Sequence, residues 1–170
     1  MQAKAGSGQV DVASRPLAEL LACPPATGNL LNASAQYVEF RDGDTIFRQG
    51  HHCLGLYIVV SGQLLRRAER LESRLILGAV HAGELLELGA ALGDGRHTYT
   101  LTAQCAGSLM LLSFDSLQQA FRTYPQLRMR LLEELAREVS RGYSACCAAR
   151  TAGMRRRGNG SSAESQAARG

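Results

Sequence analysis

Two glutamates three residues apart, Glu84 and Glu87, precede a short polar run, Arg96-His97-Thr98, in the middle of the chain. Taken alone, such carboxylates read as a solvated loop, and no Ser/His/Asp order or paired-carboxylate constellation accompanies them. Four histidines, at positions 51, 52, 81 and 97, offer imidazole nitrogens. His51 and His52 are adjacent, and adjacent side chains of a strand face opposite ways, so this pair cannot share an ion. Five cysteines, at 23, 53, 105, 146 and 147, offer thiols. No C-x-x-C occurs and no Cys/His spacing matches a zinc module, so no metal site is read from the sequence. An odd thiol count with no apolar leader in Met1–Val12 predicts reduced cysteines in a cytoplasmic protein. The remaining group is Arg155-Arg156-Arg157. From Arg150 to Gly170 there are five Arg and one Glu, or +4, which equals the net charge of the whole chain. Residues 1–149 are therefore neutral, and the basic end is expected to be a solvated tail able to make salt-sensitive phosphate contacts at most.

The elements that must position these groups follow from pattern. At 170 residues and 45% apolar composition the chain can bury a core, and no apolar run is long enough to span a bilayer. Residues 1–15 read as a disordered leader. Pro16–Leu21 is a short helix ended by Cys23-Pro24-Pro25, and Leu30–Ala35 allows another helical turn. From Tyr37 the texture is short apolar runs punctuated by glycine: 37–40, 45–47, 56–60, 63–67, 73–80, 98–104 and 109–113. Such spacing predicts an antiparallel sandwich or barrel. At Ser113 the period changes. Asp115 is expected to cap a helix over 116–123, and Pro125 to open a long helix ending near Arg150.

That long helix carries two apolar stripes. One is Leu127, Leu131 and Leu135, suited to covering the barrel. The other is Met129, Leu132, Ala136, Val139, Tyr143 and Cys146, spaced alternately three and four, which is a coiled-coil seam. The seam predicts a homodimer through this helix, weakened in mid-course by Gly142. Cys146 on the seam would face its twin in a parallel pair, which raises a redox-switched disulfide.

The string Phe40-x-x-Gly43-Asp44-x-Ile46-Phe47-x-x-Gly50, then Leu56-Tyr57-x-Val59-x-Ser61-Gly62, Gly83-Glu84, Thr102-Ala103, Leu112-x-Phe114 and Tyr124-Pro125 resembles the cyclic-nucleotide-binding domain of the Crp/Fnr superfamily of bacterial regulators. The likeness covers about residues 17–150. It implies a mainly β fold with flanking helices, a double-stranded, jelly-roll-like β-roll over 16–124, followed by a long C-terminal dimerisation helix over 125–150 and a basic disordered tail over 151–170. In that family a cassette of the form Phe-Gly-Glu, followed some ten residues later by Pro-Arg-Ser/Thr-Ala, holds the cyclic phosphate and ribose through backbone N–H groups, an Arg and a Glu.

The resemblance departs at two places. The cassette here runs Gly83-Glu84-Leu85-Leu86-Glu87-Leu88-Gly89 and on to Arg96-His97-Thr98-Tyr99. Without a gap, the family's Gly falls on Glu87 and its Glu on Leu88, and both functions are lost. With a one-residue deletion, Glu87 takes the ribose place and the Arg position falls on His97 beside Arg96. The implied ligand residues are Gly83, Glu84, Glu87, Arg96, His97 and Thr98 around phosphate and ribose, with Tyr143 near the base; the ligand would be cyclic AMP or cyclic GMP. Tyr99 stands where a small residue is expected, and its ring would fill the pocket. The second departure is length. About twenty residues follow the long helix, with no pattern for the family's helix-turn-helix, so sequence-specific DNA binding by this chain alone is not expected.

Three further chemistries each demand a residue pattern of their own. An iron–sulfur cluster needs clustered N-terminal cysteines, and only Cys23 is near. Haem needs an axial His or Cys in the roll, and a cupin-type metal enzyme needs a His-x-His pair. None is supported. The reading is a cytoplasmic, non-enzymatic regulatory sensor module with a degenerate cassette. It would act as a homodimer, or as a heterodimer with full-length relatives, with no membrane contact. Cyclic-nucleotide binding is the alternative.

Overall fold

The computed structural model describes the backbone of residues 17–70 and 73–161, and the side chains of these except 69, 70, 73–75, 142 and 145–161. Two short helices, α1 (Leu17–Leu20) and α2 (Pro25–Ala33), lead into eight strands. These are β1 (Gln36–Phe40), β2 (Thr45–Phe47), β3 (Gly55–Ser61), β4 (Leu64–Arg70), β5 (Ser73–Val80), β6 (Leu85–Leu86), β7 (Thr100–Ala103) and β8 (Gly107–Ser113). A one-turn helix, α3 (Leu88–Leu92), separates β6 from β7; α4 (Phe114–Thr123) and α5 (Pro125–Ser161) follow β8.

The strands make two four-stranded antiparallel sheets, ordered β1-β8-β3-β6 and β2-β7-β4-β5. Successive strands alternate between the sheets except β4 and β5, which form a hairpin within the second, and the core lies between the sheets. Phe40, Phe47, Tyr57, Leu64, Leu86, Leu101 and Leu109 belong to it. β3 is a central strand with both faces covered, so Leu56–Val60 is apolar without alternation. Two glycines are fixed by close backbone approach. A Cβ on Gly55 would lie 2.0 Å from the Leu112 carbonyl oxygen, and one on Gly107 would lie 2.3 Å from that of Ser61.

Helix ends differ from the sequence expectations in three places. α2 begins at Pro25, because proline is suited to a first helical turn, and so precedes the expected Leu30–Ala35 turn. α4 begins at Phe114 and is capped by Ser113, whose hydroxyl accepts the Ser116 N–H at 3.3 Å. Asp115 lies in the first turn instead, where its charge suits the helix dipole. α5 passes Arg150 and reaches Ser161; Ala152, Met154 and Arg155 to Arg157 favour helix there, whereas Gly153, Gly158 and Gly160 do not. The leader at 1–15 and residues 162–170 of the expected tail lie outside the described residues, as does the Cys146 side chain.

The chain divides after Leu131 into two compact units. The first holds the roll, α1–α4 and the start of α5, where Leu127 and Leu131 are buried. The second holds the rest of α5. Leu132, Ala136, Val139 and Tyr143 follow the 4-3-4 spacing that aligns residues along one side of a helix, and all four are exposed. Glu134 pairs with Arg137 at 3.1 Å and Arg141 at 3.0 Å.

Candidate functional site

The cassette residues do not converge on one solvent-facing cradle; they split into three. Gly83 sits at φ +91 in the turn before β6, its N–H donating to the Val59 carbonyl at 2.8 Å. Glu84 is partly exposed and is held by the Arg66 guanidinium at 3.2 Å and the His81 backbone N–H at 3.2 Å. Arg96 turns to the surface, where its guanidinium donates to the Gly50 carbonyl at 3.0 Å. Only Glu87, His97 and Thr98 meet.

Glu87 is the residue before α3 and adopts a left-handed backbone, φ +67 and ψ +30. That conformation costs a non-glycine residue about 1–2 kcal/mol. Its carboxylate is fully buried. Oε2 accepts the Thr98 N–H at 3.2 Å and the Thr98 hydroxyl at 3.4 Å. Oε1 faces His97 Nδ1 at 3.5 Å, and neither atom has a hydrogen-bond partner among the described residues. The following residue, Leu88, is buried in turn.

His97 is buried because its ring stacks flat on Phe47, with centroids 3.9 Å apart and planes 3° apart. Tyr57 and Tyr99 tilt against the same Phe47 ring at 5.3 and 5.7 Å, and the Arg66 guanidinium lies 5.6 Å above Tyr99. Tyr99 thus fills the interior as its size suggested. The backbone brings a further residue to this point. His97 N–H donates to the His51 carbonyl at 2.9 Å, Gly50 N–H to the His97 carbonyl at 2.8 Å, and Cys53 N–H to the Gly95 carbonyl at 2.8 Å. This ladder carries Cys53 into the core, where its thiol donates to the Gly55 carbonyl at 3.1 Å. Burial, with the Glu87 charge adding to it, pushes the Cys53 thiol up to about 11. Burial likewise pushes the Tyr57 phenol up to about 12, with Cys53 and Glu87 adding to the effect.

Sequence reasoning missed Cys53 and Phe47 as neighbours of this cluster. Cys53 is more than thirty residues from Glu87 along the chain. The available signal was Gly50, whose turn sends the segment after β2 back alongside 95–97. Tyr143 lies in the second unit and is exposed.

The family profile described as "Cyclic nucleotide-binding domain" matches residues 37–124, or 88 of 170 positions. The chain belongs to this family. Among solved structures, this cyclic nucleotide-binding domain is similar to the N-terminal domain of a transcriptional regulator from Streptomyces coelicolor A3(2), with 27% identity, 79% of this chain and 93% of that chain covered, and a TM-score of 0.58. It is similar in fold to the Thermus thermophilus catabolite activator protein, with 24% identity, 75% and 59% covered, and a TM-score of 0.65. The regulatory domain of Toxoplasma gondii PKA, solved with cAMP, shares the fold at 22% identity, 69% and 46% covered, and a TM-score of 0.59. The chain therefore spans less than two thirds of the Thermus and Toxoplasma chains. No curated protein matches it. The Crp/Fnr resemblance read from the sequence agrees with the family and with the regulators among these structures, and the mainly β roll with a long helix after it is as expected. Among the described residues no helix is long and apolar enough to cross a membrane.

Proposed function

We propose that this domain is a Crp/Fnr-type regulatory module, working in the cytoplasm, whose phosphate-binding cassette is closed by its own side chains and whose output passes through α5 to a second copy. One observation carries the first part: the conformation of Glu87. A left-handed residue before α3 suits glycine, which favours the ungapped alignment, with Glu87 in the place of the family's Gly and buried Leu88 in the place of its Glu. The Glu87 carboxylate is wholly buried, with Oε2 on Thr98 and Oε1 facing His97, so it is shut away from a ribose hydroxyl arriving from solvent. Arg96, bound to the Gly50 carbonyl, is turned away from the phosphate role. The second part is supported by the exposed apolar face of α5, at seam spacing.

Binding of cAMP or cGMP is the second reading, favoured by the family match and by the cAMP in the Toxoplasma structure. A thermal melt of the full chain with each nucleotide in excess separates the two. A ligand at about 100 times its dissociation constant adds about 2.7 kcal/mol to stability. For a domain of this size that is a rise of several degrees. The closed-cassette reading expects no rise, and a rise with either nucleotide overturns it.

A further inference from the structure

The interior of the roll holds a thiol, a carboxylate and an imidazole at one point. Cys53, Glu87 and His97 each offer one ligand atom, these atoms all lie within 4.8 Å of one another, and all three residues are buried. We propose that they form a binding site for a borderline-soft divalent transition ion of the zinc class, held by Cys53 Sγ, Glu87 Oε1 and His97 Nδ1.

Three independent features point to an ion. First, Glu87 Oε1 and His97 Nδ1 are the two cluster atoms left without a hydrogen-bond partner, although the residues are almost wholly buried. Buried polar atoms are nearly always satisfied, and orphans call for an explanation. Second, the donors are already oriented from behind. Thr98 binds Glu87 Oε2 through both its N–H and its hydroxyl, which leaves Oε1 free, and the Phe47 stack fixes the plane of the His97 ring. Supporting contacts of this kind position ligands in metal sites. Third, Glu87 occupies a left-handed conformation that a glycine would adopt without cost. Strain held at a non-glycine residue clusters at functional sites.

The donor set selects the ion. Sulfur, nitrogen and one oxygen suit zinc or cobalt, not magnesium or calcium. Tetrahedral zinc with bonds of about 2.0–2.3 Å separates its ligand atoms by about 3.3–3.7 Å. The Nδ1–Oε1 distance of 3.5 Å already lies in that range. The thiol must approach by a displacement on the order of 1 Å, within the reach of a side-chain adjustment. On binding, the Cys53 S–H bond breaks, an S–metal bond forms, and the proton leaves to water. Thiolate and carboxylate then sum to −2, which the dication cancels, so the dry interior holds a neutral centre in place of an isolated charge. Three protein ligands leave a fourth position for water or another small donor.

The test uses the full chain, reduced, stripped with a chelator and titrated with Co2+. The expected result is one cobalt per chain, with the intense visible bands of tetrahedral coordination and a near-ultraviolet thiolate-to-cobalt charge-transfer band. C53S should lose the charge-transfer band, and E87Q and H97Q should weaken binding at least tenfold. A variant with Cys23, Cys105, Cys146 and Cys147 all replaced by Ser should keep the band. If C53S fails to fold by circular dichroism, that single-thiol variant decides alone. No band with excess Co2+, or a band that survives C53S, overturns the proposal. The readout involves no nucleotide, so it stands or falls separately from the closed-cassette reading.

Discussion

The interior of the roll and the exposed face of α5 invert the ordinary partition of side chains in opposite senses. In the roll a carboxylate, an imidazole and a thiol are shut among Phe47, Tyr57 and Leu86. Along α5, Met129, Leu132, Val139 and Tyr143 stand in solvent. Isolated exposed apolar residues are unremarkable, but four at seam spacing are not, and neither is a fully buried glutamate. The two inversions teach different things. Polar groups buried in a tightly built core are held by many contacts and tolerate little change. Apolar groups on a free helix face are held by none, and the fold does not need them.

The sharpest contrast is steric. Gly55→Ala should break the roll, because its Cβ meets the Leu112 carbonyl at 2.0 Å and backbone must move on both strands. A loss of more than about 4 kcal/mol, or failure to fold, is expected in denaturant unfolding. Folding at native stability would show that the β3–β8 pair is looser than described. Phe47→Ala removes the ring on which His97, Tyr57 and Tyr99 all rest and should cost about 3–5 kcal/mol by the same assay. A cost under 1 kcal/mol would mean that the cluster is not locked.

On the other side of the comparison, Ala136→Glu or Val139→Glu should change the circular dichroism spectrum little, because both residues are exposed. Sedimentation velocity should nonetheless show a monomer for each variant and a dimer for the parent chain. An unchanged dimer would reject the seam. The smallest effect concerns thiols. Cys53 is buried with its thiol pushed up to about 11, whereas Cys105 is exposed. At pH 8 a maleimide should label Cys105 readily and Cys53 only on unfolding, since the thiolate is the nucleophile. Because the folded value lies above the ordinary 9.0, the native state keeps its proton where the unfolded chain loses it. Cys53 therefore favours folding below pH 9, and that contribution fades as pH rises toward 11. Peptide mapping that finds Cys53 labelled at pH 8 would contradict this.

Much of the fold was legible because its signals are local. Glycine-punctuated apolar runs gave seven strands close to their observed bounds, and the change of period at Ser113 marked the helices. β6 and α3 were not legible, since two residues of strand and five of helix carry no period. The exact cap was missed because Ser113 and Asp115 are both good caps, and only the packing of Phe114 on the core decides between them. The cluster was half legible. Glu87, His97 and Thr98 were marked by the cassette pattern, but a carboxylate facing inward and one facing outward look alike in a sequence. Arg96 was marked with them, yet one residue of displacement along the chain puts it on the opposite side from His97. For Cys53 the turn at Gly50 was the only signal, because its place depends on hydrogen bonds between segments 50–53 and 95–97 whose pairing no spacing rule encodes.

The central claim is that the cassette is occupied by its own side chains. Calorimetric titration of the full chain with cAMP and with cGMP tests it most directly, since it reads occupancy and not the effect of occupancy on stability. The account predicts only heats of dilution for both nucleotides. A saturable heat at one nucleotide per chain, lost in Glu87→Gln, would contradict it and would place Glu87 on the ribose.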